Sequence, residues 1–246
     1  MNEIIIAIPS KGRWDKVITK KLFPKENIIV FVPESESNKY KEYNKDVAIE
    51  PVPDDIKGIT KTRNYILRYM KKKKIKWHIQ VDDDAECIYY IEHGEQTPIT
   101  DYKYIYNLAT KMFIMTDDIG FKMWGFRLTK DMRDYRCMSP FMTVMPIGFN
   151  IAGIIDNELY FDERFIVKED YDYSIRHILH YGGVLRYNKY YIGVQHLFNQ
   201  GGCSSYRNDI VEKQMYDLLV KKYGKKYIKY SNNKNYVTVK GIRPGI

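Results

Sequence analysis

Apolar residues in this chain recur with two periods. Ile4-Ile5-Ile6-Ala7-Ile8 is a continuous, mostly β-branched run halted by Pro9, the pattern of a strand buried on both faces. Ile28 to Val32 repeats it and stops at Pro33; Asp46 to Ile49 is a third strand, halted by Pro51. Helix-like sequence separates the first two, so this half predicts an alternating α/β unit with a mostly parallel sheet. Gly58 to about Met70 has apolar residues at helical spacing behind a glycine and a threonine cap, and Lys71 to Lys74 follow as a basic run. Trp77 to Val81 is a fourth buried strand.

Further along, Ala85 to Ile91 predicts a short strand and Tyr102 to Met115 a helix. Lys122 to Leu128 and Phe141 to Ile147 predict strands, followed by a loop from Gly148 to Gly153. Lys168 to Arg176 opens a helix with its acids first, as the helix dipole prefers. Val184 to Val194 predicts one or two strands ending at Gln195-His196. Asn199 to Ser205 has loop composition, and an amphipathic helix spans about Asp209 to Tyr223. The expected organisation is one α/β domain over residues 1–223 and a basic tail over 224–246, with no internal repeat.

The fourth strand ends abruptly in Asp82-Asp83-Asp84. Three adjacent carboxylates repel one another and call for a cation, although an isolated triplet of this kind is also compatible with a solvated turn. An α/β sheet binds ligands at the carboxyl ends of its strands, where acids are placed to hold Mg²⁺ or Mn²⁺ against phosphate oxygens. Arg63 and Asn64 fall in the first turns of their helix, where free N–H groups favour an anion.

Composition narrows the partners. The 246 residues include 40 Lys+Arg against 31 Asp+Glu, a formal charge of +9, which favours a polyanionic partner or substrate. Three widely spaced cysteines, Cys87, Cys137 and Cys203, indicate neither a disulfide framework nor a paired-cysteine metal site. No apolar run approaches the ~18 residues of a membrane span. The sequence leads straight from Met1-Asn2-Glu3 into a strand, so a cytoplasmic protein without a membrane partner is expected; the pattern says nothing of oligomeric state.

Taken in order, strand-Pro-Ser, Gly58-x-x-x-x-Arg63-Asn64 helix, strand-Asp82-Asp83-Asp84, glycine loop, Glu169-Asp170 helix and strand-His196 resemble the nucleotide-sugar glycosyltransferases of the GT-A fold, family-2-like, over roughly residues 4 to 207. Ile8-Pro9-Ser10-Lys11-Gly12-Arg13 and the late Gln200-Gly201-Gly202 further resemble the phage-associated group proposed to glycosylate hydroxymethylated pyrimidines in DNA. The resemblance implies a single GT-A domain and a metal site of Asp82, Asp84 and His196 holding Mn²⁺ or Mg²⁺. It also implies a UDP-sugar donor contacted by Pro9, Ser10, Arg13, Lys61, Arg63, Asn64, Asp82, Asp83, Gly153 and Arg207. Asp170 is then the general base of an inverting transfer, with Glu169 as the alternative, and the Gly201-Gly202 loop closes over the donor. DNA is the expected acceptor. A glycan or protein acceptor, or a non-catalytic nucleic-acid-binding module on the same fold, remain the alternatives.

Overall fold

The computed structural model describes residues 3–127, 130, 135–194, 207–231, 236–239 and 241–242. The strands are β1 (Ile4–Pro9), β2 (Ile28–Pro33), β3 (Ala48–Val52), β4 (Trp77–Gln80), β5 (Ala85–Glu92), β6 (Glu95–Ile99), β7 (Met123–Arg127), β8 (Phe141–Met142), β9 (Ala152–Ile155), β10 (Leu185–Val194), β11 (Ile228–Ser231) and β12 (Tyr236–Val239). The helices are α1 (Ser37–Tyr43), α2 (Ile59–Lys72), α3 (Tyr102–Asp118), α4 (Glu169–Tyr181) and α5 (Asp209–Tyr223).

One large sheet takes the order β3-β2-β1-β4-β9-β7-β10-β5-β6, with β8 on β10. Its first four strands are parallel, as are β7 and β10, while β9, β5 and β8 run against the rest. The fold is thus mixed α/β with a mostly parallel central sheet. Alternation within β1 and β4 explains the two layers over it. Ile4, Ile6, Ile8, Trp77, Ile79 and Val81 pack with Ile105, Leu108, Met112 and Phe113 of α3, and Ala7 and Phe31 point the other way, onto Ile66 and Met70 of α2. Leu67, α4, α5 and the β11–β12 hairpin complete that second layer, so Ile228, Val239 and Ile242 of the basic C-terminal segment are core residues.

Several elements differ from the sequence expectation. Two 3₁₀ turns, Ile18–Leu22 and Lys25–Asn27, connect β1 to β2 in place of a helix. The Thr19 hydroxyl donates to the Asp82 carbonyl at 2.6 Å and accepts the Ala85 N–H at 2.9 Å, which ties this connection beneath the acidic triplet. β3 runs through Pro51, tolerated because β3 is an edge strand. The sequence reading passes over α1 and over β6, which closes a hairpin with β5 across His93 and Gly94, both at positive φ. Of the strand expected over residues 141–147 only Phe141–Met142 pairs, and the 148–153 loop instead runs into β9.

Candidate active site

β1 lies between β2 and β4, so the carboxyl ends of β1 and β4 form the switch point at which such sheets bind ligands. Ser10 to Arg13 leave β1 here and Asp82 to Asp84 leave β4. The alternation of β4 then sorts the triplet. His78, Gln80 and Asp82 lie toward α2, and Asp83 turns back toward the β1 loop.

Asp83 is buried. Its carboxylate accepts the Ser10 hydroxyl at 2.5 Å and pairs with Arg13 at 2.7 Å, while Ser10 also bonds Tyr40 at 2.8 Å. Asp83 therefore shapes the β1 loop from within, and burial still raises its carboxyl above the ordinary range. Asp82 and Asp84 remain partly exposed, at 37% and 25% of their side chains. The carboxyl of Asp84 is pushed up from 3.8 to about 7, first by burial and then by Asp82 and Asp83; Arg13, 3.9 Å away, only partly offsets this. Under-compensated negative charge on oxygen donors suits a hard divalent cation. The two acids thus fit part of a Mg²⁺ or Mn²⁺ site. Among the described residues no group of three His, Cys, Asp or Glu is arranged around an ion; His196 and the Gln200-Gly201-Gly202 stretch lie outside those residues.

Arg63, 3% exposed, is the hub of the second half of the site. Its Nη2 donates to Asp82 at 2.9 Å, its Nε to Glu169 at 3.4 Å, and its guanidinium stacks 4.5 Å from the Phe149 ring centre. One buried cation thereby joins the end of β4 to the start of α4, 106 positions along the chain from Arg63. The Glu169 carboxyl is pushed up to about 7 by burial and by Asp170, against the pull of Arg63. Asp170, half-buried, accepts the Tyr171 N–H at 2.9 Å, and its carboxyl is also raised by burial. Of the two, Asp170 is the more exposed.

Several of the other expected donor residues make contacts within the fold. Asn64, 1% exposed, clamps the 161–163 segment: its amide donates to the Phe161 carbonyl at 3.0 Å and to Glu163 at 2.9 Å, and its oxygen accepts the Phe161 N–H at 2.7 Å. At Gly153 in β9 an added Cβ would lie 2.0 Å from the Trp124 indole, so the missing side chain makes room for core packing. Arg63 is directed at carboxylates inside the protein, not at solvent. Lys61 is exposed on the first turn of α2, whose N-cap is Gly58 at φ +90° with no side-chain cap, and Thr60 instead donates to the Phe165 carbonyl. Arg207 pairs with Glu212 at 2.5 Å. Pro9 ends β1, and the Ser10 N–H bonds the Phe31 carbonyl. The sequence reading missed Tyr40, Phe149 and Gln80, whose Oε1 faces Arg63 at 3.5 Å; only the alternation of β4, which sets His78 and Gln80 on the face opposite Trp77 and Ile79, signals the last.

No curated protein matches the chain. Among solved structures it is similar to a cytidylyltransferase from Leptospira borgpetersenii, with 15% identity, 63% of this chain and 61% of the other covered and a TM-score of 0.37. It is similar also to residues 1–349 of S. aureus TarS, with 14% identity, 89% and 65% covered and a TM-score of 0.48. A third likeness is to A197 from STIV, with 12% identity, 77% and 83% covered and a TM-score of 0.36. The chain spans less than two thirds of the length of the first two. Among the described residues no helix is long and apolar enough to cross a membrane. The family model that matches is that of the TET-associated glycosyltransferases, over residues 4–203, a span holding β1, the acidic triplet, Arg63 and the Glu169-Asp170 pair. The chain belongs to the TET-associated glycosyltransferase family.

Proposed function

We propose that this protein transfers a sugar from a nucleotide-sugar donor, a UDP-sugar by the loop at Ser10 to Arg13, to the hydroxyl of a hydroxymethylated pyrimidine in DNA, with inversion at the anomeric carbon. The observation that carries the reading is the buried guanidinium of Arg63 bridging Asp82 and Glu169, which supports reading the acidic triplet and the acid pair of α4 as one site. A divalent cation held by Asp82 and Asp84, with His196 as third ligand, would neutralise charge on the departing diphosphate. Asp83 holds Ser10 and Arg13 in place for the nucleoside. Asp170 takes the proton of the acceptor hydroxyl as its oxygen bonds to the anomeric carbon. The bond from that carbon to the diphosphate breaks with its electron pair on the leaving oxygen, and nucleoside diphosphate departs. Arg63 keeps the Glu169 charge balanced beside Asp170, so that two adjacent acids need not both ionise uncompensated.

DNA as acceptor fits the formal charge of +9, with Lys71 to Lys74, Lys221 and the lysines from Lys225 onward supplying phosphate contacts. The test offers radiolabelled UDP-sugars to unmodified DNA, hydroxymethylcytosine DNA, hydroxymethyluracil DNA and a glycan panel. Label on one of the hydroxymethylated DNAs, in a reaction that weakens steeply with salt, is expected. Label on a glycan alone, insensitive to salt, overturns the acceptor assignment and leaves sugar transfer standing.

A further inference from the structure

The acid pair sits directly after a backbone position that a lysine adopts only with support. Lys168, at the N-cap of α4, has φ +62° and ψ +19°, the left-handed region, which crowds the Cβ of a side-chain-bearing residue against its own backbone. Its side chain is 4% exposed, and its ammonium pairs with Glu212, 3% exposed, from the first turns of α5. Arg207 pairs with the other Glu212 oxygen at 2.5 Å. Although burial works against it, Lys168 and Arg207 together hold the Glu212 carboxyl below the ordinary range. The far end of α5 is fastened as well: Lys222 at 2.6 Å and Tyr223 at 2.6 Å both donate to Asp172, which is fully buried in α4. α5 is thus tied to α4 at both ends, and it lies wholly beyond residues 4–203 that match the family.

We infer that Glu212 is a positioning residue for the transfer reaction: through its buried ion pair it holds Lys168 left-handed and so aims Asp170, two positions on, at the acceptor. The inference rests on the reading of Asp170 as the base. With the pair broken, the buried Lys168 ammonium loses the Glu212 carboxylate that faces it, and the left-handed backbone loses that strut. The first residues of α4 then turn away from Arg63, and a displacement of even about 1 Å at a reacting group costs on the order of 10²-fold in rate. The nucleoside side of the site, Ser10, Arg13 and Asp83, is held by bonds among these residues and to Tyr40 of α1.

The experiment compares Glu212→Gln, the double variant Lys168→Gly/Glu212→Gln and Asp170→Asn with the full-length protein, by circular dichroism, donor KM and kcat. Glu212→Gln is expected to lower kcat about 10- to 100-fold with donor KM within about twofold. Glycine adopts positive φ without a side-chain strut, so the double variant is expected to recover most of the lost kcat. Wild-type kcat in folded Glu212→Gln, or a loss confined to donor KM, overturns the inference, as does a folded double variant no better than the single one. Should Glu212→Gln fail to fold, the double variant, which carries no ammonium at position 168, decides the matter: low turnover there when folded refutes the strut. If Asp170→Asn keeps wild-type turnover, the base assignment fails and the inference with it; if Asp170→Asn is inactive and Glu212→Gln is not, the inference alone fails.

Discussion

Replacing Asp84 with Asn should stabilise the protein above neutral pH when no divalent metal is present. The Asp84 carboxyl is pushed from 3.8 to about 7, so the folded state holds its proton more tightly than the unfolded chain. Stability associated with this group is therefore fully present below pH ~4, is lost as pH rises from ~4 to ~7, and stays lost above. At ~1.4 kcal/mol per tenfold change in proton affinity, the two values bound the cost at about 4 kcal/mol. A quarter of the side chain is exposed and Arg13 lies 3.9 Å away, so on the order of 1–2 kcal/mol survives. For a chain of this length that is about 2–8 °C in Tm. Melting curves of wild type and Asp84→Asn in a chelator, at pH 3.5 and pH 8, should nearly coincide at the first and separate at the second, the variant melting higher. Adding Mn²⁺ at pH 8 should then raise the wild type by about 3 kcal/mol at a hundredfold excess over Kd and leave the variant almost unmoved. A variant that melts lower than wild type at pH 8 without metal would mean that Asp84 is already compensated, and the argument for a cation there would fall.

Asp170→Asn should cut turnover by on the order of 10² to 10⁴ with donor binding and Tm nearly unchanged, as measured by steady-state kinetics and calorimetry; equal activity would move the base to Glu169. Gly153→Ala should destabilise by about 1–3 kcal/mol in chemical denaturation, because its Cβ meets the Trp124 indole, and Gly153→Ala/Trp124→Phe should recover part of that loss. Asn64→Ala should cost about 2–3 kcal/mol of stability, since it leaves the Phe161 N–H and carbonyl without their clamp, and should leave the donor KM of the folded protein within about twofold. A large rise in KM would return Asn64 to the donor site.

The order of elements around the site was legible in the chain because buried parallel strands and amphipathic helices each impose a short-range period on it. β1, β2, β4, α2, α3, α4 and α5 all lie where β-branched runs or helical spacing put them, and α5 spans the residues its pattern indicates. The acidic triplet was legible for the same local reason: an apolar strand cannot continue into three aspartates. Elements with weak local signals were not. β9 is four small and apolar residues, and β8 only two; neither is a strand until its neighbours pair with it. Nor does the sequence reveal which way each polar side chain points. Arg63 and Asn64 read as donor contacts, and only the fold shows that α2 packs on β4 so that the Arg63 guanidinium meets buried Glu169 and partly exposed Asp82, and that the 161–163 segment passes beside Asn64. Lys168 and Glu212 carry no mark at all, because their pairing exists only once α5 has docked against α4. Local periodicity determined which elements form and where the acids fall; long-range packing decided the partners of each charge, since the energy of a buried ion depends on groups many residues away that come close only in the folded chain.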